Sequence, residues 1–108
     1  MPSALPYGNV NKLVFVDVVW SPASVAANTT AAQTVTVPGV LLGQDFVLDV
    51  TKPTEQAGLG IVGLRVSANN VITVLFSNNT AAPIVPTASQ TYTFGIVRRD
   101  GPATGAMS

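Results

Sequence analysis

The sequence predicts an all-β protein: a single antiparallel β-sandwich, jelly-roll-like, of about seven strands with extended arms at both ends. Three observations carry that prediction. Short runs rich in Val, Ile, Thr and Phe recur at intervals near the roughly 8–12 residues of all-β domains. Pro, Gly and Asn punctuate the chain between them. No window carries the periodicity of an amphipathic helix. The expected organisation is an arm over residues 1–11, a sandwich over 12–99 and a tail over 100–108.

The elements follow in order. Pro2, Pro6 and Gly8 keep Met1–Asn11 from forming a helix and favour an extended arm, without the basic flank and apolar core of a secretory leader. Lys12–Trp20 reads KLVFVDVVW, a strand apolar on both faces and therefore expected to be covered on both sides. Ser24–Ala27 is expected as a short edge strand. In Gln33–Val37, Thr34 and Thr36 alternate against Val35 and Val37, the period of a half-buried strand. Phe46–Thr51 places Phe46, Leu48 and Val50 on one face. Ile61–Ser67 and Val71–Ser77 flank Ala68-Asn69-Asn70 and read as a β-hairpin, because Asn tolerates positive φ. Thr91–Arg99 closes the sandwich. The expected core is Phe15, Val35, Val37, Leu48, Val50, Leu64, Val66, Val74, Phe76, Tyr92 and Phe94. At about 1.5–3 kcal/mol for each large apolar side chain buried, such a set offsets chain entropy without disulfides.

Composition narrows the chemistry. The chain has no His and no Cys, and only 9% of its 108 residues are charged. The side chains that most often act as nucleophiles, acids, bases and metal ligands are therefore missing or scarce, and no catalytic, cofactor or metal site is expected. The formal net charge is +0, without the basic stripe that nucleic-acid binding requires. Hydrophobic residues make up 47% of the chain and the mean hydropathy is +0.44. Yet no stretch reaches the roughly 20 apolar residues of a membrane span. A chain this apolar and this weakly charged is expected to keep part of its surface against other protein.

The carboxylates do not cluster. Asp45 and Asp49 stand four residues apart at a turn-to-strand junction, roughly 13 Å along a strand, and are expected to be solvated rim residues. Asp17, in mid-strand, is expected to face solvent or an interface, with Lys12 or Arg65 as its partner. Gly58–Gly63 fits G-x-G-x-x-G in letters only, for no strand precedes it and no helix follows. The echo of Asn28-Thr29-Thr30 in Asn79-Thr80 reads as turn chemistry, amides and hydroxyls satisfying the backbone. Trp20 is expected to pack in the core or at an interface.

From Val25 to Arg99 the chain resembles small β-sandwich structural proteins of tailed-phage virions, in particular capsid decoration (cement) proteins. The residues that carry the resemblance are TVTVPGV (Thr34–Val40) followed by Gly43-Gln44-Asp45, then AGLGIV and RVSANN. The run VITVLFSNNT (Val71–Thr80) and TYTF (Thr91–Phe94) complete it. The resemblance implies a non-enzymatic virion protein, made in the host cytoplasm, that binds the major capsid protein on the outer head surface and clamps neighbouring capsomers. It also implies a homo-oligomer, with a trimer favoured. Leu5, Tyr7 and Val10 are the expected apolar anchors in a subunit interface with Trp20, and Arg98 and Arg99 the expected polar clamp on a capsid carboxylate. The alternative is a receptor- or glycan-binding β-module of a phage fibre or tail, with Trp20 and Tyr7 as its aromatic platform.

Overall fold

The computed structural model describes residues 10–100. Among them the chain is all-β, with six strands in two antiparallel sheets that enclose one core, consistent with a β-sandwich. The strands are β1 (Val10–Trp20), β2 (Thr29–Thr36), β3 (Asp45–Thr51), β4 (Leu59–Ala68), β5 (Val71–Asn78) and β6 (Gln90–Arg99). One sheet has the order β1-β6-β3 and the other β2-β5-β4. The Ser24–Ala27 segment is no strand; it enters the fold through a single bridge, Val25 to Ile84.

The hairpin expected around Ala68-Asn69-Asn70 is present as β4 and β5, with Ala68 opposite Val71. Asn70 takes the left-handed conformation at φ 67, which its short amide side chain tolerates. β5 is the centre of its sheet, and Ile72, Val74 and Phe76 on its inner face are fully buried. Across the core they meet Tyr92, Phe94 and Ile96, the inner face of β6, the central strand of the other sheet. Val25, Val35, Val37, Val40, Leu59 and Val66 complete the buried set.

Of the other expected core residues, Val50 and Leu64 are partly buried and pack against this set, while Leu48 and Phe15 lie outside it. Leu48 falls at a β-bulge between Val47 and Asp49, which breaks the alternation of Phe46, Leu48 and Val50. Val47 and Val50 pack on the core instead, and Leu48 is 62% exposed. Phe15 alternates as expected, but β1 turns Val16, Val18 and Trp20 inward and leaves Phe15 71% exposed. The expectation that β1 is covered on both faces therefore fails among the described residues: its second face meets solvent.

Candidate interaction face

The outer face of the β1-β6-β3 sheet is built in rows set by the strand register. Phe46, Val97 and Leu13 form one row across the three strands. Asp49, Gly95 and Phe15 form the next, Thr51, Thr93 and Asp17 the third, and Thr91 with Val19 the last. Leu13, Phe15, Val19, Phe46 and the bulged Leu48 are all exposed. Asp17 is exposed too, and its partner is Thr93, whose hydroxyl donates to its carboxylate at 2.7 Å, not Lys12 or Arg65. The outer face of the other sheet differs in kind. Its rows read Thr30, Ser77, Gly60; Ala32, Leu75, Gly63; and Thr34, Thr73, Arg65. Small and hydroxylated side chains dominate there, whereas large apolar ones dominate the first face. Among the described residues the β1-β6-β3 face is the more apolar of the two, the other exposing Val62 and, in part, Leu75.

On the inner side of the β1-β6-β3 sheet, one end is fastened to the loop between β2 and β3. The Arg98 guanidinium meets the Asp45 carboxylate edge to edge, Nε to Oδ1 at 2.7 Å and Nη2 to Oδ2 at 2.7 Å. Nη2 also donates to the Gly39 carbonyl, and the Leu41 amide donates to Asp45 Oδ2. Asp45 is only 3% exposed, which corrects the expectation of a solvated rim residue. The hydrogen bond from Arg98 holds its carboxyl below the usual carboxylate range, although burial opposes this; the Arg98 pKa is raised in turn. Arg99 donates to the Gly43 carbonyl from Nε and Nη2, and its guanidinium lies 5.2 Å from the centre of the Phe46 ring. The hairpin tip ties the same loop from the other sheet. Asn70 Oδ1 accepts from the Gly39 amide and Asn69 Oδ1 from the Leu42 amide.

Asn78, on β5, forms a second node. It is buried, and its Nδ2 donates to the carbonyls of Val25 and Ala82 while its Oδ1 accepts from the Thr80 amide and hydroxyl. The Asn28 backbone amide donates to the Thr80 carbonyl, so the two Asn-Thr segments meet; the Thr29 and Thr80 hydroxyls donate to the Ala27 and Ala82 carbonyls, the turn chemistry expected from sequence, although Thr29 and Thr30 already belong to β2. Every buried side-chain nitrogen and oxygen among the described residues has a partner.

The residues singled out from sequence are therefore scattered. Val10 is exposed at the start of β1, opposite Arg99. Trp20 packs edge-on against Tyr92 at 5.3 Å and tilted against Phe76 at 5.8 Å, so its ring belongs to the core and forms no open platform. Arg98 and Arg99 are engaged within their own chain. Leu5 and Tyr7 lie outside the described residues. Sequence reasoning missed the roles of Asp45 and Asn78, whose partners are brought together only by the pairing of strands. Among the described residues no group of three or more potential metal ligands gathers. Comparison of the chain with protein-family models, curated proteins and solved structures finds no match. Fold and surface define a class: an all-β module with an apolar outer face on the β1-β6-β3 sheet, that sheet fastened at one end by the buried Asp45–Arg98 pair, and a second buried polar node at Asn78 of β5.

Proposed function

We propose that this chain is a bacteriophage capsid decoration (cement) protein, a non-enzymatic part of the virion that binds the outer head surface and stabilises contacts between capsomers. The observation that carries the reading is the apolar outer face of the β1-β6-β3 sheet, with Leu13, Phe15, Val19, Phe46 and Leu48 exposed together. A large apolar patch on a small protein marks a surface that another protein covers. The partner is the major capsid protein, and the near absence of charge favours close packing of copies, as a trimer, around a shared point of the shell. The bracing of β3 to β6 by Asp45 and Arg98 supports the reading, since a clamp between capsomers gains affinity from a rigid face.

The test mixes purified protein with undecorated heads of the phage that encodes it and images the particles by electron cryomicroscopy. Saturable density at regular positions on the outer shell is expected. Bare heads at saturating protein would overturn the proposal.

A further inference from the structure

We propose that two copies of the free chain associate through the outer face of the β1-β6-β3 sheet, related by a two-fold axis that lies in the interface and crosses the strands. Such a contact needs a surface complementary to itself. The placement of charge on this face, more than its apolarity, supplies that property.

The five basic and five acidic side chains of the sequence all lie among the described residues. Arg98 and Asp45 neutralise each other on the inner side of the sheet. Arg99, Asp49 and Asp17 belong to the outer face. Arg99 stands at one end, Asp49 two rows further along and Asp17 three. The Arg99 guanidinium bonds the Gly43 carbonyl above the Phe46 ring, and among the described residues no carboxylate stands within ion-pair distance of it. Asp49 accepts from the adjacent Val50 amide and Asp17 from the Thr93 hydroxyl. The face therefore carries a cation at one end and carboxylates toward the other, none of them neutralised by an opposite charge.

Two copies of such a sheet can face each other in two simple ways. With the axis along the strands each row meets its own copy, and Arg99 faces Arg99. Like charges so placed oppose association. With the axis across the strands, between the Leu13 and Phe15 rows, the order of rows is reversed. The row of Phe46, Val97 and Leu13 then meets the row of Asp49, Gly95 and Phe15 of the second copy. Leu13 and Val97 fall over the Phe15 ring and the glycine it covers. The guanidinium above Phe46 meets the second copy's Asp49, and the symmetry makes each contact twice. Arg and carboxylate suit each other at an interface, because the planar fork can bond both oxygens.

The size of the face fits a reversible contact. From strand spacing and rise it measures about 14 by 30 Å, on the order of 600 Å² once side-chain relief is counted. Two such faces bury roughly 1,200 Å², the lower end of specific interfaces. The association itself stands on the face alone. Only its place in assembly rests on the capsid reading, under which heads and a second copy compete for one surface.

The test uses the full chain without heads. Sedimentation equilibrium from about 1 to about 500 µM should show monomer and dimer, with a dissociation constant of roughly micromolar order or weaker. D49R and R99E should each weaken the dimer at least about tenfold, since each sets like charges against one another twice. An equimolar mixture of the two should dimerise again, because every charge pair across the interface is then opposite in sign. A monomer throughout, species larger than a dimer, or single variants that dimerise like the wild type would overturn the proposal. So would a mixture of folded variants that stays monomeric. Asp49 is exposed, so D49R decides by itself if R99E fails to fold. A monomeric free chain leaves the capsid reading standing, and bare heads leave the dimer standing.

Discussion

The ring of Phe15 occupies the space that a side chain at position 95 would fill: a Cβ built on Gly95 would stand 3.3 Å from Phe15 Cε1. The two residues face each other across β1 and β6. Glycine here weakens the strand locally but lets an aromatic side chain lie against the sheet from the neighbouring strand. That contact gives the apolar face its centre while leaving most of the ring open to a partner.

Phe15→Ser is therefore expected to separate stability from binding. With the ring 71% exposed, the loss of stability should stay within about 0.5 kcal/mol. Binding to undecorated heads should fall at least tenfold, since a central aromatic residue carries much of the energy of an interface. Thermal melting and a sedimentation assay on the same preparation check both halves. Unchanged binding would move the footprint off this face.

Asp45 makes stability depend on acid pH. Its pKa is lowered in the folded state, chiefly by the Arg98 hydrogen bond. The stability it contributes is fully present above its unfolded value, near about 3.9, and is lost as pH falls through the lower folded value. The melting temperature of the wild type should drop as pH falls from about 4 toward about 2, and that drop should be smaller in Asp45→Asn. At neutral pH the variant should melt lower, because its amide cannot accept a charge-assisted bidentate pair at both oxygens.

Asn78→Ala removes acceptor and donor from a buried node and leaves the carbonyl of Val25 and the amide of Thr80 without that partner. A loss of about 2 kcal/mol is expected. That corresponds to a fall in melting temperature of roughly 8–16 °C for a domain of this size. The burial of Asn78 also makes Asn78-Asn79-Thr80 a poor glycosylation acceptor in the folded chain.

Gly58 and Gly60 should respond oppositely to alanine. Gly58 has φ 80, and a Cβ there would collide with the Thr80 methyl group and lie 2.9 Å from Asn79 Oδ1. Gly58→Ala should cost about 1–3 kcal/mol. At Gly60 a Cβ meets nothing within 4 Å, so Gly60→Ala should be near neutral. Denaturant melts of the two variants side by side provide the check.

Much of the fold was legible along the chain. The β4–β5 hairpin, the inward alternation of Val35 and Val37 and the burial of Tyr92 and Phe94 all follow from local patterns, because the side-chain period of a strand is a property of the backbone. The bulge at Leu48 was not legible. An extra residue in one strand is defined only against its partner, and nothing in Phe46–Thr51 announces it. Asp45 was misread for the same reason: its partner Arg98 is far along the chain, and only the pairing of β3 with β6 places the two groups together.

By itself, then, the sequence determined that the protein is all-β, where most of its strands run and how their residues alternate, because those depend on backbone sterics and near neighbours. It also determined the scarcity of charge and the lack of His and Cys. Which face of each strand is buried was left to the tertiary structure. KLVFVDVVW is apolar on both sides, and only the docking of one sheet on the other decides that Val16, Val18 and Trp20 go inward while Leu13, Phe15 and Val19 remain outside. Burial belongs to the packed pair of sheets, and no single strand carries it.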